Sequence, residues 1–263
     1  DNFIVNKSAD EFAHVLAPAK FDPRAFVACY GMAECALAIS FAELNVGISS
    51  IKVDKEIMAT EGRVQIPSAD KADKPEETLT FVDCGEILPS FEMAIRDDAG
   101  NDLPDYQCGR ICLRGPSVMQ GYFLNPTATA EVLSEDGWLD TGDIGYRVGS
   151  HVVVTARRKD VIIVNGRNIW PHDLEYVAES LPGVRFGNVS AFSFADDAGT
   201  DQVVIVVESR ETNPAKMRSL IDELRSLINT HFGITCHIDL VPPRTLPRTS
   251  SGKLSRSKAK QDF

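Results

Sequence analysis

The organisation of this chain is decided by residues 157–175, which read RRKDVIIVNGRNIWPHDLE. Four charged residues open the stretch, and a short β-branched run leads into Asn165-Gly166, the strongest short hairpin signal, before a second run returns. Pro171 follows where a first helical residue can be proline, and apolar residues then recur at helical spacing. The stretch therefore predicts a junction between two domains, followed by a β-hairpin and a helix.

Downstream of the junction, strands and helices alternate over about a hundred residues, which is a usual domain size. Residues from 159 onward are therefore predicted to form a small α+β domain. The basic stretch 244–260 is rich in Ser and Thr and is expected to be a mobile tail. The predicted elements are strands over residues 189–194, 202–208 and 234–241 and a helix that Pro214 opens and Gly233 closes.

Upstream of the junction, the pattern predicts an α/β segment that leads into a β-rich part. Residues 8–11 form a capping-box pattern that predicts a helix over residues 9–17, and residues 24–30 are a predicted strand that ends at a glycine turn. Residues 52–77 are charged and aperiodic and are expected to be an inserted loop. Residues 78–157 alternate β-rich runs with turn signals, which predicts a small antiparallel subdomain.

The composition limits the classes of function. The chain has 263 residues with 27 Lys and Arg, 38 Asp and Glu and a net charge of -11. Nucleic-acid binders carry an excess of basic residues, so we expect no nucleic-acid partner. The apolar runs are far too short to span a bilayer, and no basic-then-apolar leader opens the chain.

The six cysteines are dilute and form no Cys-x-x-Cys pair, which is typical of reduced, buried thiols. We therefore expect a cytoplasmic protein. The first residues contain no initiator Met and no capping motif, which suggests a fragment of a longer protein.

One candidate site is Tyr30-Gly31-Met32-Ala33-Glu34, where an aromatic ring and a carboxylate bracket a predicted turn. An aromatic face can stack a base, and a carboxylate can hold a hard cation such as magnesium beside phosphates. The competing interpretation is an ordinary acidic loop.

A second candidate is WLDTGD, residues 138–143, which places carboxylates in a predicted glycine turn. A carboxylate there could accept hydrogen bonds from a ribose diol. The Asp-Thr-Gly triplet is also typical of aspartic proteases, whose paired carboxylates would require a homodimer of this chain. A plain acidic turn is the third interpretation.

Two further candidates are basic. In residues 157–160 (RRKD), Arg157 could reach a nucleotide and Lys159 could be a pivot, although such clusters are usually solvated linkers. Residues 247–253 (PRTSSGK) depart from a phosphate-binding loop, since Pro stands at the first glycine position and Leu254 follows the lysine. Lys253 could still bring a charge to a phosphate, and the alternative is a disordered tail.

The order and spacing of five segments resemble the later motifs of the adenylate-forming superfamily, which contains acyl-CoA synthetases, peptide-synthetase adenylation domains and luciferases. The resemblance covers essentially the whole chain. Within the superfamily, CYGMAE, the long segment before Cys84-Gly85 and IIVNGRNIWP look most like fatty acyl-AMP ligases, although Asn165 stands where these often have Arg. The segments are residues 30–34, 109–122 (GRICLRGPSVMQGY), 138–146 (WLDTGDIGY), 157–175 and 247–253.

The resemblance implies an α/β plus α+β fold. Residues 1–158 would be the C-terminal part of the large AMP-binding domain, with a β subdomain at about 78–157, and residues 159–263 the small mobile domain. The implied roles are Tyr30 stacking the adenine with Gly31 and Met32 beside the nucleotide, Asp143 and Arg157 on the ribose, Asn168 near the phosphate, Glu34 on magnesium, Lys159 at the hinge and Lys253 as the catalytic lysine.

The implied reaction uses ATP and magnesium to activate a fatty acid as acyl-AMP with release of pyrophosphate. The acyl group would then pass to a phosphopantetheine thiol on an acyl carrier protein or on the carrier domain of a polyketide or peptide synthetase. An acyl-CoA synthetase and a non-catalytic fragment that only binds a partner are the alternatives.

Two further implications concern segments of the chain. The superfamily's Ser/Thr/Gly-rich phosphate loop and early acyl-pocket segments are not among these 263 residues, so the chain alone is expected to be inactive. In acyl-AMP ligases an insertion at the position of residues 52–77 packs against the small domain and limits its rotation, so the resemblance implies the same role here.

Overall fold

A computed structural model describes residues 2–74, 77–164, 167–195, 201–249, 252 and 254–263 of the chain. The molecule divides into two compact units, Asp1–Lys159 and Asp160–Phe263. Each unit buries its own hydrophobic core.

The first unit is built on a seven-stranded sheet of order β1-β2-β5-β9-β8-β7-β6, and all neighbouring strands in it run antiparallel. Of the antiparallel subdomain predicted over residues 78–157, residues 86–157 supply five strands of this larger sheet, which β1 and β2 extend, whereas residues 78–82 pair in a separate two-stranded sheet. The core of the larger sheet includes the fully buried Ile39, Ile95 and Leu139. The strands are β1 (Cys29–Met32), β2 (Leu37–Phe41), β5 (Glu86–Ile87), β6 (Glu92–Arg96), β7 (Gly109–Arg114), β8 (Leu139–Val148) and β9 (His151–Arg157).

Helix α1 precedes the first strand of this sheet in the chain, and helix α3 lies between β7 and β8. Helix α1 spans Asn2–Leu16, so it begins before the predicted start, and the Ser8 of the capping-box pattern lies inside it. A Ser-x-x-Glu spacing also fits the interior of a helix, which is why it did not mark the first turn. Helix α3 spans Pro126–Val132, and Asn125 caps it by accepting the backbone N–H of Ala128 at 3.1 Å.

The strand predicted over residues 24–30 is wrong in its position, because β1 begins only at Cys29. Pro23–Ala25 forms a 3₁₀ turn instead. Asp22 stabilises that turn by accepting the backbone N–H of Arg24 at 3.0 Å. A local cap at an Asp-Pro pair thus outweighs the β propensity of the apolar run that follows.

Residues 52–77, called the insertion below, were predicted as a loop; the structure forms a strand end and a helix over residues 52–61, whereas residues 62–74 are turns and irregular chain as predicted. Strands β3 (Ser50–Asp54) and β4 (Thr78–Val82) pair antiparallel, and helix α2 (Lys55–Glu61) starts directly after β3. Asp54 caps α2 by accepting the backbone N–H groups of the first turn. Several apolar side chains of the insertion are buried, such as Met58 at 1% exposed, whereas Ile66 is 68% exposed.

Hydrogen bonds connect the insertion to the turn before β7. The backbone of residues 62–64 exchanges hydrogen bonds with Tyr106 and Cys108, each at 2.8 Å. The Gln107 side chain donates to the Glu61 carbonyl oxygen at 3.0 Å. These contacts fix the insertion within the first unit.

The Asp-Thr-Gly segment lies inside β8 and not in the predicted turn. Gly142 has φ +72°, and the register of β8 shifts against both neighbouring strands. The strand is therefore bulged and not broken, since pairing on both sides holds a triplet that elsewhere favours turns.

The second unit confirms the predicted α+β class. Its sheet has the order β12-β13-β14, with β12 antiparallel and β14 parallel to β13. The core includes the fully buried Leu174, Ile205, Leu224 and Ile228. The elements are β10 (Ile162–Val164), β11 (Arg167–Ile169), α4 (Pro171–Glu179), β12 (Val189–Ala195), β13 (Asp201–Glu208), α5 (Pro214–Phe232), β14 (His237–Val241) and α6 (Arg256–Asp262).

The hairpin after the junction has the expected register. Val164 pairs with Arg167 across β10 and β11, which leaves the two residues of the predicted Asn-Gly turn between them. Those two residues lie outside the described part of the chain.

The stretch 244–260, expected to be a mobile tail, is folded over much of its described length. Leu246 is 6% exposed, and α6 packs on β12, where Ala259 lies in one buried cluster with Phe192 and Val204. The prediction was wrong because these apolar residues are spaced too widely to produce a periodic pattern.

All six cysteines are free thiols, and burial raises the pKa of Cys108 to about 12. Among the residues with described structure, no helix has the length and apolar character needed to cross a bilayer.

Candidate nucleotide site

The side chains of Tyr30, Asp143 and Arg157 meet in the first unit. The Tyr30 hydroxyl donates to Asp143 Oδ2 at 2.7 Å, and Arg157 Nε lies 3.2 Å from Asp143 Oδ1. The side chain of Asp143 is 7% exposed, whereas that of Arg157 is 59% exposed. The arrangement is a buried carboxylate with a solvent-accessible guanidinium beside it.

The strand pairing sets this arrangement. Asp143 on β8 is the direct partner of Arg157 on β9. Thr141 supports the bulge, since its hydroxyl donates to the Ile111 carbonyl oxygen at 2.9 Å and accepts the Asp143 N–H at 3.1 Å. Backbone pairing and one threonine therefore hold the carboxylate in place.

Tyr30 is a neutral hydrogen-bond donor. Burial and then the neighbouring Asp143 carboxylate raise the pKa of Tyr30 far above its ordinary value. Its ring also packs against the core of the seven-stranded sheet. Tyr30 therefore has a structural role in addition to any contact with a base.

Gly31 and Met32 continue β1, so the strand runs through the glycine and does not end in the predicted turn. The register with β2 shifts between Tyr30 and Gly31. A Cβ atom on Gly31 would overlap the Leu37 carbonyl oxygen, so the close approach of the strands requires glycine. Met32 packs against the core. Packing alone therefore accounts for glycine at position 31 and an apolar side chain at position 32.

Glu34 lies in the 3₁₀ turn that follows β1. Its Oε1 accepts the hydroxyl of Tyr122 at 2.8 Å, and its backbone carbonyl accepts the Met119 N–H at 2.7 Å. Burial and the Glu34 carboxylate raise the pKa of Tyr122. Motif reading assigned no role to Tyr122, because a contact across 88 residues leaves no local pattern.

Glu34 fits the chemistry of a magnesium ligand. Mg²⁺ is usually bound through one or two carboxylates together with waters and substrate phosphates. Within the described ranges, no group of three or more His, Cys, Asp and Glu side chains could hold a metal ion. An ion at Glu34 would therefore take its other ligands from water and phosphate.

Three predicted site residues fall elsewhere in the chain. Lys159 is exposed in the 3₁₀ turn Arg158–Asp160, and the division between the units falls directly after it. Asn168 is exposed on β11, paired with Ile163 of β10. Lys253 lies outside the described residues.

The second unit contains a partly buried ion-pair network that the sequence did not reveal. Arg256 donates to both oxygens of Glu175, at 2.7 and 2.6 Å, and lies 3.5 Å from Asp160. Glu175 also accepts the Ala191 N–H at 3.0 Å. Burial acts to lower the pKa of Arg256, but its pairing with Glu175 and Asp160 outweighs burial and raises it. The network joins α6 to the first residue of its unit.

Two family models match the chain. The model described as AMP-binding enzyme matches residues 5–123, and the model described as AMP-binding enzyme C-terminal domain matches residues 166–260.

Curated proteins with similar sequences are enzymes of this kind. The chain is 44% identical over 96% of its length to a Caulobacter vibrioides protein with the provisional name acyl-CoA synthetase. It is 31% identical over 86% of its length to a long-chain-fatty-acid–AMP ligase of Mycobacterium marinum. It covers 43% and 42% of these two proteins, so it spans less than half the length of the curated relatives.

Solved structures agree with these matches. One, from a study of fatty acyl-adenylate ligases from E. coli and L. pneumophila, has a TM-score of 0.86 and 38% identity, covering 97% of this chain and 44% of that chain. A keto acid-selecting NRPS module with adenylation and ketoreductase domains has a TM-score of 0.81 and 28% identity, covering 96% of this chain and 21% of its own.

Proposed function

The chain belongs to the adenylate-forming family of AMP-binding enzymes, and from this membership we propose that its full-length protein activates fatty acids as acyl-AMP. In the proposed reaction a fatty carboxylate oxygen bonds to the α-phosphorus of ATP, and the bond to the β-phosphate breaks to release pyrophosphate. The acyl group then passes to the phosphopantetheine thiol of an acyl carrier protein or carrier domain. The described units would be the later part of the large domain and the small domain.

The Tyr30–Asp143–Arg157 group is the observation that carries this proposal. A buried carboxylate can accept hydrogen bonds from the two hydroxyls of a ribose, and an exposed guanidinium beside it can donate to the same sugar. The Tyr30 hydroxyl already holds one oxygen of Asp143 at 2.7 Å. The carboxylate would therefore need little reorganisation when a nucleotide binds.

The remaining roles follow from the motifs and from charge. Glu34 is proposed as this chain's ligand to magnesium, an ion that would neutralise phosphate charge. Lys253 is proposed to stabilise the negative charge that develops on the α-phosphate during attack. Asn168 is proposed to lie near the phosphate when the site is assembled.

Lys159 is proposed as the pivot about which the small domain turns between adenylation and thiol transfer. The residue before it, Arg158, is held to the first unit, with Nη2 3.1 Å from Asp98 Oδ1. The residue after it, Asp160, lies 3.5 Å from Arg256 within the second unit. Lys159 is thus an exposed residue between two anchored neighbours, which is a suitable place for a change in backbone dihedrals.

A ligase that uses coenzyme A is the second candidate. The Caulobacter vibrioides relative at 44% identity, with its provisional name of acyl-CoA synthetase, is the observation that favours it. The fatty acyl-adenylate ligase structure at 38% identity and the folded insertion favour the carrier-protein acceptor.

The decisive experiment assays the full-length protein with ATP, magnesium and a panel of fatty acids, with and without coenzyme A. We expect acyl-AMP to accumulate even with coenzyme A present and to be consumed when a phosphopantetheinylated carrier protein is added. Fast conversion to acyl-CoA would instead support the second candidate. If no carboxylate gives an ATP-dependent product, adenylation itself is wrong.

A further inference from the structure

A cavity of about 720 Å³ opens in the second unit, and its lining includes Pro247 and Arg248 of the candidate segment 247–253 but none of the residues to which a role is assigned above. It lies at one end of the strands of the three-stranded sheet. The parallel strands β13 and β14 both end there, where Glu208 pairs with Val241, and β12 begins there at Val189. Crevices at the carboxyl ends of parallel strands are preferred ligand positions in open sheets.

The lining of this cavity is strongly basic. Four arginines contribute to it, Arg185, Arg210, Arg244 and Arg248, in a protein whose net charge is -11. Among residues with described structure, no carboxylate forms an ion pair with any of these four side chains. Four guanidinium groups facing one carboxylate leave the lining with an excess of positive charge, so the arrangement favours the binding of an anion.

The single carboxylate among the lining residues is already engaged. Glu208 is 5% exposed, and its Oε1 accepts the backbone N–H of Leu246 at 2.9 Å. Its own backbone N–H donates to the Asn188 carbonyl oxygen at 2.9 Å. Glu208 therefore fixes two walls of the cavity to each other.

Arg248 is also a wall residue. Its guanidinium donates to the carbonyl oxygens of Gly187 at 2.6 Å and Gly252 at 3.1 Å, and to Asn188 Oδ1 at 3.2 Å. Arg244 lies in the left-handed region with φ +70°, a conformation that costs free energy for a residue with a side chain. The cavity is thus a built feature whose loops are held by specific bonds.

We propose that this cavity binds an anion with two or more linked phosphate groups, held by Arg185, Arg210 and Arg244. A guanidinium presents a planar fork of donors that matches phosphate oxygens, and several forks around one cavity exceed what a single orthophosphate can contact. The volume lies within the range of about 300–1,000 Å³ that is usual for small-molecule sites. Free pyrophosphate and the phosphates of a nucleotide share this chemistry.

The test is calorimetric titration of this chain with inorganic pyrophosphate, without magnesium and at physiological ionic strength. We expect saturable binding with one site, and we expect Arg185→Ala and Arg210→Ala each to weaken it about tenfold or more, the loss of a charge-assisted hydrogen bond. Arg210→Lys should recover part of the affinity, since the charge returns without the fork. Arg244 and Arg248 are left unchanged because of their backbone strain and wall contacts.

The matched control is Arg218→Ala, an exposed arginine on α5 that does not line the cavity. It should bind pyrophosphate as the unaltered chain does, and all variants should keep the same melting temperature. Orthophosphate should compete at least tenfold more weakly than pyrophosphate.

Competition with ATP and with coenzyme A distinguishes the sources. A nucleotide that displaces pyrophosphate in an Arg210-dependent way assigns the site to nucleotide phosphates, and displacement by neither assigns it to free pyrophosphate. Absence of saturable binding would overturn the proposal. An affinity unchanged in the Arg185→Ala/Arg210→Ala double variant, or an equal loss in Arg218→Ala, would overturn it as well. The outcome does not depend on adenylation, since no catalytic turnover is measured.

Discussion

Tyr30 and Tyr122 make the same kind of hydrogen bond to two different carboxylates, at 2.7 Å to Asp143 and 2.8 Å to Glu34. Their surroundings differ, because Asp143, the acceptor of the first bond, is 5% exposed, whereas Tyr122, the donor of the second bond, is 37% exposed. A hydrogen bond to a charged group contributes more when water cannot replace it. The pair therefore offers a matched comparison of single residues.

We expect Tyr30→Phe to lower the free energy of unfolding by about 1.5–3 kcal/mol, because Asp143 loses a donor in a buried site. Tyr122→Phe should cost less than about 1 kcal/mol, since solvent reaches its hydroxyl. Urea unfolding of both variants measures the difference. Equal losses would show that burial of Asp143 does not decide the strength of its bond.

His172 should make the protein sensitive to acid. Burial lowers the pKa of His172 from 6.5 to about 3, even though Asp173 Oδ1 lies 3.6 Å from its Nε2. Between pH 6.5 and about 3, His172 binds a proton in the unfolded chain but stays neutral in the folded chain. The free energy of unfolding should therefore fall as the pH drops from 6.5 towards 3, by up to about 1.4 kcal/mol per pH unit.

The corresponding variant is His172→Gln, which removes the titrating group. We expect the fall in the free energy of unfolding between pH 6.5 and 4 to become shallower than in the unaltered chain. Urea unfolding at a series of pH values measures the slope. The same slope in both proteins would assign the acid sensitivity to other groups.

Lys253 tests the proposed chemistry at the level of one side chain. In the full-length protein, Lys253→Ala should reduce acyl-AMP formation by about a hundredfold or more, as expected for loss of a group that stabilises developing charge. Lys258→Ala, an exposed lysine on α6, is the control and should keep normal activity. A near-normal rate for Lys253→Ala would remove this residue from the mechanism.

At the scale of elements, the insertion can be removed at a defined place. Asp54 and Thr78 are direct partners on β3 and β4, so a two-residue Asn-Gly turn can replace residues 55–77 and close a hairpin. If the insertion restrains the small domain, as the resemblance implies, the shortened full-length protein should adenylate normally and form some acyl-CoA. A restraint of about 3 kcal/mol would correspond to roughly a hundredfold suppression of that product.

A milder variant keeps the insertion and removes one of the hydrogen bonds that hold it to the first unit. Gln107→Ala removes the side-chain bond to the Glu61 carbonyl oxygen and should give an intermediate gain of acyl-CoA. Acyl-AMP and acyl-CoA are measured in the same assay at saturating coenzyme A. A shortened protein that adenylates but forms no acyl-CoA would show that the insertion is not the restraint.

The elements that sequence patterns located are those with dense local signals. In the second unit, α5 runs from Pro214 to Phe232 and Gly233 follows it in the left-handed conformation, as the pattern predicts. Helix α2 of the insertion and helix α6 were not predicted, because their order depends on a few apolar side chains buried against distant elements. The β8 segment was misjudged because pairing on both sides overrides the turn preference of Asp-Thr-Gly.

At the scale of the whole molecule, this chain covers only 44% of the fatty acyl-adenylate ligase structure that it resembles. We expect the chain alone to give background levels of ATP–pyrophosphate exchange, because it lacks the superfamily's phosphate-loop donors. The full-length protein assayed in parallel is the control. Robust exchange by the chain alone would mean that the site has been placed wrongly.

Motif order named Tyr30, Asp143 and Arg157 together, and the structure brings their side chains into contact. The partners that complete the arrangements, such as Tyr122 and Arg256, were not found. Their contacts join residues 88 and 81 positions apart, and single-sequence patterns report only neighbours within one turn or strand. The roles of the site residues remain predictions.

The position of α6 has a consequence for biosynthesis. Helix α6 covers β12, and Arg256 within it neutralises the buried Glu175. A nascent chain that ends after β14 therefore leaves the apolar face beneath α6 exposed to solvent, and Glu175 without Arg256. The first unit can fold while it emerges, but the second must wait until residues 256–262 have left the exit tunnel. Stop codons or ribosome stalls just before Arg256 should therefore yield nascent chains that chaperones retain.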